Sequence, residues 1–165
     1  MKIYTAFICL IASLTTGCAF FDLGATDRDS IQQTVMGTDQ AVEQFLSGRE
    51  LDPIEGAWEH DANAFEIVIA RNNFEVAAGY DYVGIITRTK QPDWVNGDIK
   101  ILLRKTANSN VLDGIWMTNF KSERRMTFVI EHDDLVQANY VSTDGETNFV
   151  RIVRMSPRFA RTVRQ

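Results

Sequence analysis

Histidine and cysteine are scarce in this chain: there are two of each among 165 residues. Cys9 lies inside an N-terminal apolar run expected to be removed, so Cys18 is left as a single thiol and no intramolecular disulfide can form. One thiol also cannot build a thiolate zinc site. His60 and His132 sit far apart, each at the end of a predicted strand and just before an aspartate. In an up-and-down meander the first and sixth strands run in opposite directions, so the two fall at opposite ends and cannot share a metal or one catalytic site. This also removes the usual base for a serine or cysteine nucleophile. A phosphate-binding glycine loop and a dinucleotide fingerprint are both missing. Positive charge is short as well: the net charge of −5 excludes a general nucleic-acid surface. The exception is local, since five arginines and no acid follow from position 151 onward. Proline is rare, with three residues against ten phenylalanines, which supplies core material with few strand breakers. At 45% apolar and 24% charged, the composition is that of one globular domain with appendages.

The N-terminus carries an address. Met1-Lys2 is followed by an apolar run from Ile3 to Leu14 and by the small residues Thr15-Thr16-Gly17. The run is too short to span a bilayer and fits a secretory signal over 1–17. The segment Leu14-Thr15-Thr16-Gly17-Cys18 resembles the lipobox of bacterial lipoproteins. It departs from that pattern in one place, because Leu stands four rather than three residues before the cysteine. The resemblance implies that Cys18 becomes the first mature residue and carries acyl chains, several of which anchor stably. Ala19, where an aspartate would favour inner-membrane retention, implies the periplasmic face of the outer membrane. An ordinary cleaved signal with an incidental cysteine is the alternative.

Residues 18–29 read as a tether and 30–47 as an amphipathic helix, with Ile31, Val35, Val42 and Phe45/Leu46 on one face. Gly37 weakens its middle and Gly48 ends it. From residue 54 to 155 the period changes to two. Strands are expected near 55–60, 64–72, 80–88, 97–105, 110–119, 124–132, 134–142 and 146–154, joined by turn residues such as Asn96-Gly97 and Asp144-Gly145. Phe65/Ile67/Ile69, Ile99/Ile101/Leu103 and Met126/Phe128/Ile130 each share a face, and Leu112/Gly114/Trp116 and Val136/Ala138/Tyr140 are assigned inward. Short links between sequential strands predict a mainly β fold. It is an eight-stranded antiparallel up-and-down barrel with one N-terminal helix, closed so that no edge is left open. A flattened sandwich or an incomplete barrel is the alternative.

Gly56-Ala57-Trp58 opens the strand run, and this G-x-W resembles the start of lipocalin-like barrels. The long first loop of that family is missing, and the helix precedes rather than follows the barrel. The resemblance implies that Arg154, from the last strand, closes the barrel end against Trp58. Strand parity agrees: with Val150 and Ile152 inward, Arg154 also points inward. Phe65, Ile67, Trp116, Phe128 and Tyr140 are candidates for the interior or for lining a small apolar ligand site. Glu55, Glu59 and Glu66 read as solvent-facing. Asp61-Asn63 and Asp144-Glu146 share a loop end and read as polar turns rather than a calcium site. Residues 156–165 read as a basic tail that either rests on anionic headgroups or frays into solvent. The expected function is a cell-envelope lipoprotein whose barrel is a non-enzymatic binding or interaction module. It would be held to the membrane by its lipid, with a small apolar ligand or an envelope protein as partner, and without cofactor, metal or nucleic acid. A carrier of a lipophilic molecule and a carboxylate-based hydrolase are the alternatives.

Overall fold

A computed structural model describes residues 37–73 and 77–155. The expected leader and tether, the first part of the expected helix and the C-terminal basic segment lie outside these residues, as does Cys18. Among the described residues, one helix, α1 (Thr38–Leu46), precedes strands β1 (Gly56–His60), β2 (Phe65–Arg71), β3 (Tyr82–Thr89) and β4 (Ile99–Lys105). Strands β5 (Val111–Met117), β6 (Glu123–His132), β7 (Leu135–Val141) and β8 (Thr147–Arg154) follow. Each strand pairs antiparallel with the next, and β8 returns to β1, so the eight strands form a closed barrel. In β1, Trp58 lies opposite Arg154 and His60 opposite Ile152.

Period-two patterning explains the lumen. Trp58, Ile67, Ile69, Ile101, Leu103, Phe128 and Ile152 are all fully buried. Each such side chain contributes about 1.5–3 kcal/mol relative to leaving it in water. Neighbouring strands pack tightly at two glycines. A methyl group placed on Gly84 would sit 3.0 Å from Ile101 Cβ. One on Gly114 would sit 2.9 Å from Leu103 Cδ2 and 3.0 Å from Phe128 Cε2. These two glycines therefore make room for bulky side chains on the adjoining strands.

The outer face of β1–β3 is also apolar because α1 lies on it. Ala41, Val42 and Leu46 are buried, as are Val68, Ala70, Val83 and Ile85 beneath them. The helix begins later than its pattern suggested: Gly37 is its N-cap, in an extended conformation, and not a mid-helix residue. Thr38 Oγ1 donates to Glu66 Oε2 at 2.6 Å and lies 2.8 Å from Thr87 Oγ1. Two expected solvent-facing carboxylates are thereby corrected. Glu66 is 6% exposed under the helix, and Glu55 is 1% exposed at its foot. A helix covering one side of a sheet makes both faces of that side interior.

A second correction lies in β4. Gly84 faces Ile101 but Ile85 faces Ile99, so Lys100 is an extra, bulged residue. Ile85 pairs with Val68 under the helix, which places Ile99 on the outer face rather than with Ile101 and Leu103. Lys100 is turned inward instead, toward the rings of Phe65 and Trp116.

Candidate functional site

The two ends of the barrel differ. At the end where β1 starts, the lumen is sealed. Trp58 is fully buried, and its indole Nε1 donates to the carbonyl of Ile54 at 2.9 Å. The Arg154 guanidinium lies 4.2 Å from the centre of a Trp58 ring. Its Nη1 donates to the Glu55 carbonyl at 2.8 Å, its Nη2 to the Pro53 carbonyl and its Nε to the Asp133 carbonyl. This one side chain therefore ties together the entry to β1, the ring at its centre and the β6–β7 turn. The glycine of the G-x-W has a physical role here. Gly56 has φ of 152°, and a Cβ on it would occupy the space of Arg154 Nη1. Arg154→Ala is expected to lower stability by about 1–2 kcal/mol through loss of the ring contact and the carbonyl bonds. Arg154→Lys should recover little of it, since an ammonium cannot reach three carbonyls from one plane. Urea unfolding measures both; an unchanged midpoint in Arg154→Ala would refute the latch.

Beside this latch sits a carboxylate cluster. Glu55 accepts from Arg49 Nη1 at 2.8 Å and from Arg49 Nη2, and also from the backbone N–H groups of Asp52 and Arg71, each at 2.9 Å. Burial pushes its carboxyl up, but the Arg49 hydrogen bonds and the two backbone donors outweigh it and hold the pKa below the usual value. Tyr82 donates to Asp52 at 2.6 Å. Burial, then that bond, pushes the Tyr82 hydroxyl up to about 12. These groups satisfy one another and have no free nucleophile, so the cluster reads as a structural clamp.

The opposite end, where β1 finishes, gathers aromatic rings around a cation. His60 lies 4.9 Å from Phe65, Phe65 lies 5.8 Å from Trp116, and Trp116 stacks at 6.4 Å on Phe128. Among them is Lys100, fully buried, with Nζ 4.0 Å from the centre of Trp94, 5.2 Å from Phe65 and 5.5 Å from Trp116. Trp94 comes from the β3–β4 connection and covers this end of the lumen. Lys121 Nζ lies 5.2 Å from the same ring and is paired with Asp98 at 3.0 Å. Burial lowers the pKa of Lys100 to about 8, and burial likewise lowers that of His60.

Phe65, Ile67, Trp116 and Phe128 are all buried, and Phe65, Trp116 and Phe128 belong to this ring group. Tyr140 is half-buried, with the Arg124 guanidinium 4.4 Å from its ring. His60 and His132 are the last residues of β1 and β6, which run in opposite directions, so they occupy opposite ends. The Asp144 carboxylate accepts from the Glu146 N–H at 3.1 Å and from the Ser142 hydroxyl, as a turn residue does. No cluster of three metal-binding side chains occurs among the described residues. Nor is any helix among them long and apolar enough to cross a membrane.

Lys100 and Trp94 were not singled out by the strand pattern. In Ile99-Lys100-Ile101 strict alternation sends the lysine outward, and only the bulge turns it in. A cation inside an apolar run was the signal available, and it did not separate an edge residue from a buried one. No protein-family model, curated protein or solved structure matches the chain.

Proposed function

We propose that the protein is a cell-envelope lipoprotein, anchored through Cys18 at the periplasmic face of the outer membrane, whose barrel is a non-enzymatic binding or interaction module. The observation that carries the module reading is the packed lumen. Trp58, Ile67, Ile69, Ile101, Leu103, Phe128 and Ile152 are fully buried in it, and one end is latched by Arg154. Such an interior is filled by its own side chains, which weighs against a deep-cavity lipid carrier. Contacts then fall to the outside. On β7–β8, Val141 is 70% and Phe149 53% exposed. Next to them an open groove of about 590 Å3 runs between Arg104, Asp113, Arg125, Thr127 and Asn139. The separation of the two histidines weighs against acyl-transfer chemistry.

Anchoring rests on the lipobox-like segment ending at Cys18. Cells expressing the chain with labelled palmitate should yield a labelled, membrane-associated protein, and Cys18→Ala should be unlabelled and released. Equal labelling of the two proteins would overturn the anchor. The module reading has its own test: a fluorescent fatty-acid probe should not bind the delipidated barrel, and saturable binding would favour the carrier instead.

A further inference from the structure

Neither barrel closure nor membrane anchoring uses Lys100. Its side chain is fully buried, and among the described residues its Nζ has no hydrogen-bond partner and no paired carboxylate. Three aromatic rings surround it, with Trp94 nearest at 4.0 Å. The charged and titratable groups around the cage do not neutralise it. Asp98 is engaged by Lys121, Arg124 is opposite Trp116 on β6, and His60 is disfavoured as a cation by its own burial. A lysine in such apolar surroundings is destabilised as an ammonium, and its lone pair, when neutral, is tied to nothing. That combination is what carbonyl chemistry requires of an amine.

We infer that Lys100 is a covalent capture site for a small aldehyde or ketone, held as an imine inside the aromatic cage. The neutral Nζ adds its lone pair to the carbonyl carbon, forming the C–N bond, and one of its two N–H protons passes to the carbonyl oxygen. The carbinolamine hydroxyl then leaves as water together with the second N–H proton, and the C=N bond forms. His60, on the same rings and disposed to be neutral, is the base at hand for that proton. The ligand is small, because Lys100 and the three rings around it are already buried against one another. It is apolar apart from its carbonyl, because the walls are rings. Entry passes the β3–β4 connection. There Gln91 Oε1 and Trp94 Nε1 are buried without partners among the described residues. The covering position thus leaves two polar groups desolvated, and displacing the segment returns them to water. The lowering of Lys100 to about 8 points the same way. The reaction needs neither Cys18 nor an envelope location, so it stands or falls apart from the anchor.

The test uses the folded chain at pH 7 with propanal and sodium cyanoborohydride, whose hydride reduces any imine to a stable propylamine. Digestion and mass spectrometry then compare Lys100 with Lys90, Lys105 and Lys121. An amine of pKa near 8 is about 10% neutral at pH 7, against less than about 0.1% for an ordinary lysine. Lys100 is therefore expected to be modified at least about tenfold faster than the other three, with a rate that rises with pH and levels above about 8. In denaturing urea the preference should vanish, and in Lys100→Met the other three should react as before. Modification of Lys100 no faster than the three comparison lysines in the folded chain would overturn the proposal.

Discussion

Replacing Glu55 by alanine is expected to cost the fold about 3 kcal/mol, the low end of what breaking a buried ion pair costs. The carboxylate is fully buried, whereas Arg49 is 25% exposed and Arg71, whose Nε lies 3.5 Å away, is 45% exposed. The pairs alone would be screened by solvent, which sets the estimate at the low end. The larger loss comes from what the carboxylate leaves behind. The N–H groups of Asp52 and Arg71 would both lack an acceptor, and the Arg49 guanidinium, which also donates to the Phe45 carbonyl at 3.1 Å, would lose its main tie. Foot of helix, start of β1 and end of β2 would loosen together. Urea unfolding at pH 7 measures the effect, and a loss below about 1 kcal/mol would show that the cluster is not a clamp. The acid side carries the same signature. Because the folded state holds Glu55 below its usual pKa, its contribution is present above the unfolded value and is lost as pH falls through the folded one. The unmutated chain should therefore lose stability below about pH 4.5, and Glu55→Gln should lose less over that range.

Lys100→Met is expected to act in the opposite direction and stabilise the protein by about 2 kcal/mol at pH 7. The fall in pKa from 10.5 to about 8 corresponds to roughly 3 kcal/mol against the buried ammonium. Loss of the contact with Trp94 offsets part of that gain. Methionine has a similar length and volume, so the cage stays filled. The pH dependence supplies a check that packing cannot imitate. Below pH 8 lysine is protonated in both folded and unfolded chains, and the penalty is fully present. Between about 8 and 10.5 the folded chain has released the proton while the unfolded chain keeps it, so stability rises with pH. That rise should be present in the unmutated protein and absent in Lys100→Met. Unfolding curves at pH 7, 9 and 10.5 would decide it; a destabilised variant would mean that the ammonium is held by more than the rings.

Much of the barrel was legible because period-two alternation and turn residues are local signals. Phe65, Ile67 and Ile69 alternate cleanly, and the structure puts Ile67 and Ile69 in a packed lumen. What alternation does not report is a change of phase. One extra residue at Lys100 sends Ile99 to the far side of the sheet and brings a lysine in, although the letters on either side look unchanged. The burial of Glu55 and Glu66 was hidden for a different reason. It depends on where a helix from elsewhere in the chain comes to rest, and no strand carries that information itself. Gly37 belongs with these: a glycine within an apolar stripe reads as an interruption, and here it marks a beginning.

The latch between Arg154 and the start of β1 has a consequence in time. Glu55 is separated by 99 residues from the guanidinium that caps its carbonyl, and Pro53 by 101. While the chain is being made, β1 and β2 can pair early, but the other edge of β1 stays bare until the last strand has emerged. An unpaired edge invites pairing with other chains. A barrel whose seam joins its two extremes also folds slowly for its size, because the longest loop closes before the seam stabilises anything. A chain shortened by its final strand is thus an open sheet with a permanent free edge, and the growing polypeptide passes through that state in every molecule made.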